Sequence, residues 1–276
     1  MTNGMMFDLA AVVTLLPVAW LSWRQPGEGS RLFWGVVGLA IAGPLVRVAM
    51  LLGHAWQTSL GAALWVSIAA SMIVFAGVIT AARAAWRLLP LLMPYLMLLG
   101  LIATLGQKRE GGTLAPAPWL EFHIVVSVTT YAVLTIAAVA ALAAFLQERE
   151  LKAKRSTMLS RLLPSVAEAE ALSGRLLVTS QVVLGLGLVS GMAVQYLEMG
   201  VLLRLDHKTL LSLLAFAVIG LLLLVRRLIG VRGRVAARGI LLAYLLLTLA
   251  YPGVKFVTDV LLQRGGSAGS TVSQGL

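Results

Sequence analysis

The sequence predicts an all-α fold: a polytopic integral membrane bundle of about eight transmembrane helices, with the N-terminus and C-terminus both outside. Three observations lead there. Of 276 residues, 59% are hydrophobic and 12% charged, whereas soluble domains carry about 25% charged residues; the mean hydropathy is +0.93. The apolar residues gather in runs near the length of about 20 that a helix needs to cross a hydrocarbon core. These runs are continuous rather than alternating, which argues against large lipid-exposed β structure. Lastly, the basic residues collect in alternate loops.

Taken in order, the first run covers 7–23. It is short, lacks a basic lead and carries Asp8, so it reads as a retained span rather than a cleaved signal peptide. Runs at 31–53 and 59–82 follow, and a fourth at 86–105 is interrupted by Pro90 and Pro94. The fifth, 120–146, opens after "APAPWLEFH", where Pro116 and Pro118 stop any earlier helix and Trp119 marks an interface. A basic connector, 147–175, reads as an interfacial helix on anionic headgroups and then a second start at Pro164. Spans at 174–197, 208–226 and 236–262 complete the set, so that 1–262 forms a single transmembrane domain. The Gly/Ser-rich tail, 263–276, is expected to be disordered. "GLVSG" at 187–191 and the glycines of "GVVGLAIAG" at 35–43 read as helix-packing residues. The chain shows no internal repeat of the kind that builds inverted-repeat transporters.

Orientation follows from the short loops. Arg24, Arg31, Arg83, Arg87, Arg149, Lys152, Lys154, Arg155, Arg161, Arg175, Arg226, Arg227, Arg232, Arg234 and Arg238 fall on one side. The other side holds Lys108, Arg109, Arg204 and Lys208. Fifteen against four assigns the first side to the cytoplasm. The net charge of +11 is thus a topological signal and not a nucleic-acid footprint. Without cysteine, disulfides, CxxC redox chemistry and covalent CxxCH haem attachment are excluded. No HExxH pair, paired carboxylates or Gly-rich phosphate loop supports an enzyme.

In this topology the three histidines, His54, His123 and His207, all fall toward the outer face. Arg47, Lys255 and Asp259 lie within the outer parts of spans. Ionisable groups there cost several kcal/mol and face partners inside the bundle. Lys255 and Asp259, four apart, can pair, and Pro252 frees a carbonyl one turn earlier. Together these predict a polar, protein-lined cavity in the outer leaflet. Asp206 is placed to cap the seventh span, and Arg204 and Lys208 read as interfacial anchors. His123 has two readings: a ligand for a metal or haem iron, or a satisfied polar group.

The segments "EFHIVVSVTTYAVLTIAAVAALAAFLQERELK", "LLPSVAEAEALSGRLLVTSQVVLGLGLVSGMAVQY", "LDHKTLLSLLAFAVIGLLLL" and "YPGVKFVTD" resemble, in this order, the second half of cytochrome c assembly proteins of the CcsA/CcmC type. The likeness covers about 120–262 and is closest to the HemX/YpjD-like branch. It implies a haem platform on the outer face, flanked by histidines. His123 matches the first of these, and Asp206, Lys208 and Thr209 resemble the polar part of the platform. The platform tryptophans are missing, since none lies after Trp119, and Lys255 stands where the second histidine is expected.

The resemblance therefore implies a haem-handling accessory protein of c-type cytochrome assembly in a bacterial-type cytoplasmic (inner) membrane. Haem would be held non-covalently by His123 and His207, with Arg47, Arg204 or Lys208 toward its propionates. Its partners would be lipid, haem and other assembly or membrane proteins, with no nucleic acid and no catalysis by the chain. The alternatives are a regulatory or interaction subunit that binds no haem, and a small-ion or small-molecule transporter using Arg47, Lys255 and Asp259.

Overall fold

The computed structural model describes residues 2–24, 30–53, 56–57, 59–106, 113–114, 117–154, 156–202, 206–231 and 233–250. Its helices follow the sequence's punctuation closely. The first span is two helices, α1 (Thr2–Val13) and α2 (Leu16–Arg24), rather than one. The ring of Pro17 clashes with the carbonyl four residues earlier, on Val13, so α1 ends there. The intervening turn is closed by the Leu15 N–H on the Val12 carbonyl at 3.0 Å and by the Thr14 hydroxyl on the Ala11 carbonyl at 2.7 Å.

Helices α3 (Arg31–Leu52) and α4 (Leu60–Ala81) start at serine caps, with Ser30 accepting from Phe33 N–H and Ser59 from Ala62 N–H. A short 3₁₀ turn, Arg83–Leu88, leads into α5 (Leu89–Gly106). Pro90 falls in the first turn of α5, where a missing N–H costs nothing, so the α-helix begins at Leu89 and not at 86. Pro94 is accommodated inside the helix. Two loops at this end pair as a minimal antiparallel ladder that the sequence did not announce, β1 (Trp56–Gln57) on β2 (Thr113–Leu114).

The long helix α6 (Pro118–Lys152) starts with proline in its first turn and continues well past the predicted span. The connector then forms a short α7 (Met158–Leu162), and α8 (Val166–Met199) starts at Ser165. Ser165 and Glu168 make a reciprocal capping box, which fixes the second start close to Pro164. Helix α8 ends at Gly200 with φ +69°, a left-handed conformation that glycine adopts freely. Next come α9 (His207–Ile229) and α10 (Gly233–Thr248).

Among the described residues, seven helical stretches are long and apolar enough to cross a membrane: Gly4–Arg24, Arg31–Leu52, Leu60–Ala81, Arg83–Leu105, Pro118–Lys152, Val166–Glu198 and His207–Ile229. The described part of α10 is 16 residues, short of the roughly 20 required. The remainder of the predicted eighth span, with Pro252, Lys255 and Asp259, lies outside the described residues, as does the tail 263–276. The chain is a multi-pass helical membrane protein.

The bundle is organised around α6, which packs most extensively on α8 and also on α4 and α10. Its middle is rich in alanine and almost wholly buried, from Thr130 to Ala141. Small residues permit the close backbone approach that holds helices together where lipid removes the hydrophobic drive. The glycines divide by role. A Cβ on Gly187 would meet Val126 and Thr130 of α6, and one on Gly43 would overlap the Thr14 side chain. By contrast, Gly35 and Gly38 face open space, so only Gly43 of the "GVVGLAIAG" glycines is a packing residue.

Contacts among side chains confirm which loops share an end. At the arginine-rich end, the Gly233 N–H donates to Glu170 Oε1 at 2.5 Å, Arg226 lies against Gly174, and Arg234 stacks over Phe145 at 5.4 Å. At the opposite end lie the α1 start, the α3 terminus, the β1–β2 ladder, and the α6 and α9 starts.

Candidate functional site

The opposite end carries most of the candidate residues. His123 lies on the second turn of α6, partly buried against α8. Its Nδ1 is 2.9 Å from Ser190 Oγ, and a Cβ at Gly191 would stand 3.0 Å from the imidazole Cε1. The ring thus occupies a slot on α8 that only a glycine leaves open. The Gly187 backbone carbonyl of α8 is a further hydrogen-bond partner of the ring, and both ring nitrogens would stand 3.6 Å from a Cβ on Gly191.

Asp206 caps α9 as the sequence predicts. One carboxylate oxygen accepts from the Thr209 N–H and the Thr209 hydroxyl, both at 2.9 Å. The Thr209 N–H, seconded by that hydroxyl, holds the Asp206 carboxyl below its ordinary range. His207 and Lys208, on the first turn of α9, are exposed.

The two described histidines are not in contact, and α8 separates them. Gly187 and Gly191 face α6, whereas Gly185 meets Phe216 and Gln181 meets Gly220, both on α9. At 3.6 residues per turn these two faces of α8 lie about 120° apart. Continuing the antiparallel pairing sets His207 level with Val194, roughly 5 Å further out than His123.

Arg47 is buried, as an ionisable group inside a span requires, and its partner is Asp8: Nε donates to Oδ1 at 2.5 Å. This pair ties α3 to α1. Arg204, Lys255, Asp259 and His54 lie outside the described residues.

A small, partly open pocket among the described residues lies elsewhere. It measures about 10 Å³, room for a single water, and is lined at the arginine-rich end by Glu170, Ser173, Arg226 and Gly233.

Sequence reasoning missed a hydroxyl cluster in the core. Tyr95 of α5, Tyr131 of α6 and Tyr244 of α10 place their hydroxyls together. Tyr131 stands 3.1 Å from Tyr95 and 3.0 Å from Tyr244, Tyr95 also bonds Tyr244, and the Thr135 hydroxyl lies 3.4 Å from Tyr244. Each tyrosine lies alone in an apolar run, so the sequence carries no local signal for the cluster. Ser190 was visible only as a small residue in "GLVSG".

An anchored imidazole at one end of a helical bundle and a belt of arginines at the other define a polytopic membrane protein with a polar site at its histidine end. The chain belongs to the cytochrome c assembly protein family: the family described as "Cytochrome C assembly protein" matches residues 40–262, well beyond the 120–262 that carry the resemblance. Membership assigns the chain to cytochrome c biogenesis. A protein of Azospirillum brasilense described as an uncharacterized 28.8 kDa protein in the nifR3-like 5' region is 53% identical over 272 residues, covering 95% of this chain and 100% of that protein.

A haem fits the donor set at His123. The ring is partly buried and its Nδ1 is held by Ser190, as the second nitrogen of a metal-ligating histidine usually is.

Proposed function

We propose that this family member handles haem at the outer face of a bacterial inner membrane, in the manner of the HemX/YpjD-like branch, binding it without transforming it. The observation that carries this reading is His123, partly buried at the histidine end with its Nδ1 held by Ser190. When bound, haem supplies an iron that accepts a neutral imidazole nitrogen. His123 is the ligand; His207, exposed at the start of α9, is set apart from His123 by α8 and does not reach the same iron in this arrangement. Lys208, beside it, neutralises a propionate, a task shared with Arg204.

Arg47 does not take that task, because its Nε is committed to Asp8. It acts by fixing α3 against α1. Lys255 is a weak iron ligand in this reading, since an amine ligates only when neutral and Asp259 would favour its charged form. The fifteen basic residues of the arginine-rich end set the orientation, with the histidine end outward.

Two observations favour a second reading, an assembly subunit that binds no haem: no tryptophan follows Trp119, and Arg47 is already paired. Deleting the gene and staining membranes for covalent haem separates the two. Loss of c-type cytochromes, restored by the wild type but not by His123→Ala at equal membrane abundance, supports haem handling. Full restoration by His123→Ala moves the role to the subunit reading.

A further inference from the structure

The hydrogen bonds around His123 fix which ring nitrogen carries its proton. Ser190 Oγ stands 2.9 Å from His123 Nδ1 and 3.0 Å from the Gly187 carbonyl oxygen. A serine hydroxyl has one proton. The carbonyl can only accept, so that proton goes to Gly187, and Ser190 Oγ then turns a lone pair toward His123. Nδ1 must donate to satisfy it. The opposite assignment would aim the serine proton at Nδ1 and leave the Gly187 carbonyl facing Ser190 Oγ with no proton between them.

We infer that Ser190 is a positioning residue for His123: it accepts from Nδ1–H, fixes that tautomer, and so leaves Nε2 unprotonated as the ligating atom. The inference rests on the haem-handling reading for its purpose but not for its chemistry. Gly191 completes the device, because a Cβ there would stand 3.0 Å from the ring and displace it from Ser190. Pinning the second nitrogen in this way commonly changes metal affinity by about 10- to 100-fold.

The test uses the full-length, haem-free protein in detergent, with ¹⁵N-labelled histidine rings. The chain has three histidines, and His123→Gln identifies the His123 signals. The ring nitrogen shifts and their couplings to ring protons report the tautomer directly. The wild type is expected to show a protonated Nδ1 and a bare Nε2, Ser190→Ala to shift His123 toward the Nε2–H form, and Ser190→Thr to restore the wild-type pattern. Added ferric protoporphyrin IX should bind Ser190→Ala about tenfold more weakly than the wild type. A wild-type His123 protonated at Nε2, or a tautomer unmoved in Ser190→Ala, overturns the inference. The expected tautomer shift together with no haem binding by the wild type retains the positioning role and overturns the haem reading alone.

Discussion

Asp206 shows how one side chain at the histidine end responds to acid. Its carboxylate accepts from the Thr209 N–H and hydroxyl, which lowers its folded-state pKa. A depressed carboxylate contributes stability that is fully present above the unfolded value of about 3.9 and is lost as pH falls through the lower folded value. Amide exchange at Thr209, corrected for intrinsic rates, should therefore stay slow near neutrality and quicken only in strong acid. Asp206→Asn, which caps nearly as well without a charge, should remove that pH dependence. The cap was legible in the sequence because its chemistry is local, three residues from acceptor to donor. Arg47 was half legible: burial inside a span demanded a partner, but Asp8 is 39 positions away and had served only as evidence on the N-terminus. The three tyrosines of the core cluster were not legible, because nothing in an apolar helix says which tyrosines will meet.

At the scale of helices, the α6–α8 seam positions His123, and its glycines differ measurably from those facing lipid. Gly187→Leu drives a branched side chain into Val126 and Thr130 and should destabilise the protein by about 1–3 kcal/mol in detergent melts. Gly38→Leu points into open space and should alter stability by less than about 0.5 kcal/mol. Equal costs at the two positions would mean that the seam is not where the bundle is tight. The seven spans among the described residues were readable from hydropathy in their order, because crossing lipid imposes length and composition; the expected eighth runs on outside the described residues. Boundaries were readable where serine, proline or glycine marked them, as at Ser165 and Gly200. The break after Val13 was missed: Pro17 was present in the sequence, but the run looked continuous by hydropathy alone.

The whole molecule is polarised, with arginines at one end and the anchored histidine at the other. The chain lacks cysteine, so single cysteines can report that polarity cleanly. Leu202→Cys, exposed between α8 and α9, should react with a membrane-impermeant maleimide in intact cells. Ser156→Cys, exposed in the connector, should react only after permeabilisation. The reverse pattern would turn the histidine end inward. The measurement that bears most directly on function is a haem titration of the purified protein, followed by absorption, with His123→Ala and His207→Ala alongside. A stoichiometric Soret band that shifts or is lost in His123→Ala is the expected result. A folded wild type that takes up no haem, or a band unchanged by His123→Ala, would contradict haem ligation at this site.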